Sequence, residues 1–236
     1  MSVKQKSLHG PVYDYARLTL GRTVRKALMQ RLLAKSGCSY FAIFYKTALP
    51  LSSPKVYLVD NLNFSCRLVY DRQKLWALEP ILNASGAEEI IHWQSGTLPA
   101  ETGVLGLMGK HVLEAATFLY AMHSGSMTLL TLIWTEPSSR PDLNELYDAL
   151  FPESRLATRH IRDLSRPVCP VIPGGLSFRE IKILRLLADG LTSEQVADAV
   201  HVTRATIYFH VKQIMKKTDS TTRSQAITKA ALLNLI

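Results

Sequence analysis

Residues 176–217 read LSFREIKILRLLADGLTSEQVADAVHVTRATIYFHVKQIMKK, and the caps and apolar spacings in this stretch decide the architecture of the C-terminal part of the chain. Ser177-Phe-Arg-Glu180 has the form of a capping box: the serine hydroxyl accepts from the third helical amide while the glutamate reaches back to the cap. Ile181, Leu184 and Leu187 then share one face, and Gly190 stands where a left-handed residue closes a helix. Thr192-Ser-Glu-Gln195 repeats the cap and opens a short helix through Val196, Ala197 and Val200. Thr203 caps a third helix with apolar Ile207, Val211 and Ile214, and a fourth is expected over 222–235. Two short helices, a tight turn and a third helix with a charged outer face describe a helix-turn-helix.

On that third helix Arg204, Tyr208 and Lys212 recur every four residues, on the face opposite the apolar positions. Long donors on such a stripe suit guanine O6 and N7 and the phosphates beside them. Thr203, Thr206 and Lys216 are the further candidates for phosphate contact. A solvated face on an ordinary helical bundle produces the same stripe, so the stripe alone leaves both readings open.

Working outward, Arg166–Gly175 carries three prolines and two glycines in ten residues, which no helix continues through. It reads as a linker, 166–175, between an N-terminal domain, 1–165, and the helix-turn-helix domain, 176–236. The N-terminal domain mixes helical and strand patterns. Helix periodicity is expected over 12–35, 64–77, 104–115 and 143–164, and strands over 39–45, 56–59, 117–121 and 127–134, the last two joined by a turn at 123–125. This predicts an α+β sensor domain, an antiparallel sheet covered by helices as an α/β/α sandwich, followed by an all-α four-helix domain.

Composition narrows the function classes. The chain has 236 residues, 47% hydrophobic and 20% charged, with a net charge of +9, which favours a polyanionic partner weakly. Residues 176–236 hold nine Lys or Arg against five Asp or Glu, a net of +4 that leaves +5 for the rest. No apolar run reaches the roughly 18 residues of a membrane span, so no membrane role is expected. The start of the chain lacks the apolar stretch of a signal peptide. Three separated cysteines, Cys38, Cys66 and Cys169, suggest neither a disulfide framework nor a zinc site, and a reducing cytoplasm is the expected location. The seven histidines (8, 92, 111, 123, 160, 201 and 210) form no metal-binding spacing, and phosphate-loop and nucleophile-elbow motifs are missing, so no catalytic residue and no metal are expected. His210, inside the third helix, is expected to serve the core or the backbone. Asp60, after a strand, resembles a phosphoacceptor aspartate only superficially, since no acidic pair precedes it; it is read as a turn residue.

Residues 176–236 resemble the C-terminal domain of the LuxR/NarL (FixJ) class. The resemblance is carried by L-S-x-R-E-x-x-x-L-x-x-x-A-x-G-x-T followed by V-x-V-T-x-x-T-I-x-F-H. It implies that Glu180 and Gly190 are structural, that Tyr208 and Lys212 face bases, and that Ala226, Ala230, Leu233 and Leu235 supply part of an apolar seam pairing two such domains. Thr218 stands where the class usually has leucine. The N-terminal domain is similar to the autoinducer-binding domain of LuxR-type quorum-sensing regulators, through Leu51-x-x-Pro54-Lys55, Tyr70, Glu79-Pro80-Ile81 and Trp93. In that family a tryptophan, a tyrosine and the aspartate of an Asp-Pro pair hold the head group of an N-acyl homoserine lactone. The tryptophan falls at Cys66 and the aspartate at Glu79, while Tyr70 and Trp93 are the remaining pocket candidates; a usual glycine falls near Ala116.

Cys66 offers a weak donor where an indole N–H would stand, and Glu79 extends the acceptor by one methylene. Either change weakens a buried ligand contact by on the order of 1–3 kcal/mol. Phe41, Phe44, Tyr57, Phe118 and Tyr120 are the aromatics expected to fill the pocket in place of a ligand. The sequence therefore favours a homodimeric regulator of an inverted-repeat DNA site, paired partly through the helix near 143–164, that acts without a bound lactone and needs no cofactor. Activation, by placing the dimer beside RNA polymerase, is the family's usual role. A lactone-responsive regulator with a rearranged pocket and a heterodimerising anti-activator are the alternatives.

Overall fold

In a computed structural model of the chain, residues 13–50, 53–84, 89–94, 97, 103–122, 125–137, 141–164, 175–233 and 235–236 are described. The expected linker lies outside them except for Gly175, as does Cys169. The chain forms two compact units, one of residues 1–120 with 127–164 and one of 165–236 with 121–126.

The first unit is built on a six-stranded sheet in the order β1-β3-β2-β6-β5-β4. The strands are β1 (Asp14–Arg17), β2 (Tyr40–Lys46), β3 (Lys55–Asp60), β4 (Ile90–Gln94), β5 (Glu114–Ala121) and β6 (Met127–Trp134). β2 pairs antiparallel with both β3 and β6, and β4 antiparallel with β5. β1 departs from the expected all-antiparallel sheet: it runs parallel to β3, Asp14 opposite Lys55. The helix expected over 12–35 is correspondingly shorter, α1 (Arg22–Ser36), because its first turn is this strand. Tyr15 and Arg17 are drawn out of the helical pattern by ring stacking and ion pairs, which outweigh local propensity. β4 lies in a segment for which no element was expected.

Helix α2 (Phe64–Arg72) stops before two 3-10 turns, Leu75–Leu78 and Pro80–Asn83. Helix α3 (Gly103–Met108) is shorter than expected, ending in a 3-10 turn so that β5 can begin at Glu114. Helix α4 (Leu143–Leu164) has the expected bounds.

Strand alternation sorts the core into two layers. Ala42, Phe44, Val56, Leu58, Ala115, Leu119, Leu129 and Ile133 pack with Tyr70, Ile81, Leu82, Val104 and Leu105 from α2, the 3-10 turns and α3. The other parity meets α1 and α4. Tyr120 donates to the Tyr147 carbonyl and stacks on its ring, Phe118 tilts against Tyr147, Thr128 bonds Thr158 at 2.7 Å, and the Trp134 indole donates to the Ser36 carbonyl. The α/β/α sandwich is therefore present, with a mixed sheet. The two helices are pinned by Glu153 of α4, nearly buried, which accepts from Lys35 of α1 at 2.7 Å.

Among the described residues, the second unit has four helices: α5 (Phe178–Ala188), α6 (Ser193–Ala199), α7 (Arg204–Lys217) and α8 (Arg223–Leu232). Both expected capping boxes are formed, Ser177 with Glu180 and Thr192 with Gln195. Thr203 caps α7, and Gly190 takes φ +91°. Ile183, Leu184, Leu187, Val196, Ala197, Ile207 and Ile214 make the core with Ala226 and Ala230. Ala226, Ala230 and Leu233 are thus buried within their own module, with Leu235 packed against it. Ala226, Ala230 and Leu233 supply its core and not an outward seam. Thr218, nearly buried, is satisfied by donating to the Ile214 carbonyl at 2.9 Å.

Glu180 ties this unit together. Its carboxylate accepts from the Ser177 amide at 2.7 Å and from Lys217 of α7 at 2.8 Å. Burial pushes its carboxyl up, but those hydrogen bonds outweigh burial and hold it below the usual carboxylate range. Glu180→Ala removes a cap and a charge-assisted bond together, so it should cost about 2 kcal/mol in denaturant unfolding of the full chain; an unchanged midpoint would show that Glu180 holds nothing.

Candidate functional sites

The first candidate site lies between the sheet and the α2/α3 layer. Tyr70 occupies the last turn of α2, whose start is fixed by Asn63 accepting from the Cys66 amide at 2.8 Å. Glu79 sits between the two 3-10 turns, its backbone extended by the proline that follows. Both residues are buried, Tyr70 wholly and Glu79 to 3% exposure. The Tyr70 hydroxyl donates to Glu79 Oε1 at 2.7 Å, and the Val104 amide at the start of α3 donates to the same oxygen at 2.7 Å. Gly103 makes this approach feasible: at φ +60°, a Cβ there would lie 2.2 Å from Glu79 Oε2.

Trp93, half-buried on β4, lines the same place with Ile81, Val104, Leu105, Thr117 and Thr131. The two threonine hydroxyls bond each other at 2.8 Å, and the gap left among these residues admits no water molecule. Three of the four sequence-derived pocket residues, Tyr70, Glu79 and Trp93, are brought together. Cys66 lies one turn earlier on α2, packed against the core, and is not a hydrogen-bond partner of Glu79. The aromatics expected to fill the site do not share one face. Phe44 is on this side, whereas Phe41, Tyr57, Phe118 and Tyr120 have the opposite strand parity and face the α1/α4 layer. Among the described residues, those that pack at the site are Glu79, Tyr70 and the aliphatic Val104 and Leu105 of α3.

Sequence reasoning missed Gly103 and Val104, whose roles are a backbone angle and a backbone amide, and neither leaves a side-chain pattern. It also missed the ionic frame behind Tyr70. Arg17 of β1 pairs with Asp60 and with Asp71, the latter at 2.8 Å, and its guanidinium lies 5.4 Å from the Tyr70 ring centre. Arg67 adds a second bond to Asp60 at 2.8 Å, and Tyr15 donates to Asp71 at 2.9 Å while stacking on Trp76. Asp60 is the last residue of β3 and not the turn residue expected; its carboxylate accepts from the Leu62 amide at 3.0 Å and is a buried ion-pair centre.

Burial lifts the Glu79 carboxyl to about 7, against the lowering by Tyr70 and Val104. The folded chain then holds this proton more tightly than the unfolded chain. The stabilisation is full below the ordinary value of 4.5 and is lost as pH rises through about 7. Relative to Glu79→Gln, the native chain should lose about 3 kcal/mol across that window, measured by unfolding at a series of pH values; parallel curves would refute it. Gly103→Ala should cost about 3 kcal/mol in the native chain, from left-handed strain plus collision, but only about 1–2 kcal/mol in a Glu79→Ala background. Equal costs in a double-mutant cycle would mean that Glu79 does not press on Gly103.

The second candidate site is the outer face of α7. Arg204, Tyr208, Lys212 and Lys216 are all exposed, Tyr208 by 52%. Arg204 is already engaged: Nη1 bonds Glu194 Oε1 of α6 at 2.6 Å, and Nη2 donates to the Tyr208 hydroxyl at 2.8 Å. Its guanidinium carbon stands 5.3 Å from the Tyr208 ring centre. Thr203 and Thr206 serve the helix start, with the Thr206 amide donating to Thr203 Oγ1 at 3.2 Å and their hydroxyls 2.8 Å apart. His210 is half-buried, its ring edge-on to Phe209. Sequence periodicity found the stripe, but Glu194, on another helix, escaped it.

A capped helix-turn-helix whose third helix presents cations outward defines a DNA-binding regulator module. Residues 175–230 match the family model described as bacterial regulatory proteins, luxR family. Over nearly its whole length the chain is similar to the quorum-sensing regulator RhlR of Pseudomonas aeruginosa, 27% identical with 89% of this chain and 88% of that protein covered. It is 24% identical to the regulatory protein SdiA of Escherichia coli, covering 84% and 83%. The fold matches the structure of SdiA in complex with octanoyl-rac-glycerol, with a TM-score of 0.65 at 19% identity over 92% of this chain and 89% of that one. The C-terminal unit is a LuxR-family helix-turn-helix domain, and the chain as a whole is homologous to LuxR-type transcriptional regulators, which are not enzymes. Among the described residues, no helix is long and apolar enough to cross a membrane.

Proposed function

We propose that this protein is a cytoplasmic, homodimeric DNA-binding regulator that reaches its working fold without an N-acyl homoserine lactone. The observation that carries the reading is the Glu79 carboxylate, which has Tyr70 and Val104 as donors at 2.7 Å each. A ligand amide seeking Oε1 must displace bonds already made, and one seeking Oε2 must enter a gap that, among the described residues, admits no water. Leaving a buried hydrogen-bonding group unpaired costs about 1–3 kcal/mol, or about one to two decades of affinity. RhlR is described as a quorum-sensing regulator, and this chain takes from that relationship its regulatory role, with the signal's place taken by its own side chains.

On DNA, the dimer sets two α7 helices in successive major grooves of an inverted repeat, roughly 34 Å apart. Arg204, Tyr208 and Lys212 read bases or clamp the phosphates beside them, and Lys216 neutralises phosphates with support from the Thr203 and Thr206 hydroxyls. The α4 helix contributes to pairing. Placing the dimer beside RNA polymerase gives activation.

The test is DNA binding by full-length protein made in a host that produces no lactone, titrated with and without added acyl homoserine lactones. Equal affinity in both arms, with no lactone-induced change in melting temperature, is expected. Binding that appears only with a lactone overturns the proposal. Lys212→Ala should weaken the specific complex about tenfold and reduce the salt slope by about one, read from titrations at several salt concentrations; an unchanged slope would remove Lys212 from the phosphate contacts.

A further inference from the structure

The guanidinium fork of Arg204, at the start of α7, is largely occupied within the protein. Glu194 takes Nη1 at 2.6 Å, while Nη2 and Nε both point at the Tyr208 hydroxyl, at 2.8 and 3.3 Å. All three side chains remain accessible, Arg204 by 57%, Glu194 by 51% and Tyr208 by 52%, so the cluster is a surface device and not part of the core.

The hydrogen-bond inventory fixes what it offers. A guanidinium only donates, so the Tyr208 oxygen must accept, and the tyrosine's own proton is left to be donated outward. The face shown to DNA is then a hydroxyl donor flanked by the remaining guanidinium N–H groups. Such a face matches an acceptor edge, which in the major groove is that of guanine, with N7 and O6. Glu194 also offsets the charge of Arg204. An arginine so paired is a weaker phosphate clamp than a free one, and it is held beside Tyr208 instead of being free to swing to the backbone.

The geometry points to a Glu194–Arg204–Tyr208 relay in which Glu194, on α6, sets base specificity as a positioning residue by fixing Arg204, which in turn fixes the Tyr208 hydroxyl as donor to a guanine acceptor edge. This rests on the reading of α7 as the DNA-contacting helix. Glu194 itself touches no base. Its removal should free Arg204 for phosphate, exchanging selectivity for indiscriminate affinity.

The experiment selects binding sites for the full chain from a random duplex pool, then titrates the selected site and single-base variants at several salt concentrations. Native protein, Glu194→Gln and Tyr208→Phe are compared. Glu194→Gln should bind random DNA several-fold more tightly, steepen the salt slope by about one, and lose about tenfold in discrimination at one guanine per half-site. Tyr208→Phe should lose the same discrimination with the salt slope unchanged. A merely structural role for Glu194 predicts a lower melting temperature with neither change. If the native chain selects a site and both variants select it equally well with the same slope, the relay is overturned alone. If the native chain selects no sequence, the DNA-reading role of α7 falls and the relay with it.

Discussion

A buried carboxyl group needs hydrogen-bond partners whether or not it keeps its proton, and the N-terminal unit is organised around one that finds them. Glu79 draws the Tyr70 hydroxyl from α2 and the Val104 amide from α3 onto a single oxygen. Those two bonds set the distance between the helices that cover this side of the sheet. They also explain why residue 103 is a glycine in the left-handed region, since any side chain there would occupy the place of Oε2. Tyr70 is fixed from behind by Arg17, and Arg17 by Asp60 and Asp71. A polar chain thus runs from the edge strand to the centre of the site, each member satisfied by the next, which is the condition for burying such a chain at all.

The C-terminal unit solves a different problem with the same chemistry. Its helices are too short to hold themselves, so capping residues and one glutamate link them. Glu180 closes the start of α5 and reaches Lys217 at the end of α7, while Glu194 near the start of α6 reaches Arg204 at the start of α7. Both acidic residues act on the recognition helix, one from the buried side and one from the solvent side. The first fixes where the helix lies and the second fixes what it shows.

Features with a local signature were legible in the sequence. Capping boxes, the glycine after α5, the amphipathic α4 and the alternating strands β2, β3 and β6 each follow from spacing over a few residues. What escaped depends on distant partners. β1 reads as helix because its apolar positions fit that period, and only the pairing with Lys55–Leu58 makes it a strand. The residues Tyr70, Glu79 and Trp93 were legible as a set, but the donor from Val104 was not, since a backbone amide is the same in every sequence. The aromatic strand residues were legible as core, yet their side of the sheet depended on strand parity: Phe44 and Phe41 are three apart and face opposite layers.

The parallel pairing of β1 with β3 bears on the order in which the domain assembles. A parallel partner cannot be reached by a tight turn; here the connection contains α1 and the whole of β2 before Lys55 arrives opposite Asp14. The antiparallel ladder of β2, β3 and β6 can close without β1, whereas β1 has nothing to join until β3 is in place. The strand is therefore a late addition to the folding sheet, and lying at the edge with four residues it is also the first to peel away. Because it carries Tyr15 and Arg17, its departure uncovers Trp76 and loosens the back of Tyr70. The N-terminal edge thus works as a latch on the polar chain behind the site, and hydrogen exchange in β1 and around Tyr70 becomes one coupled event instead of two.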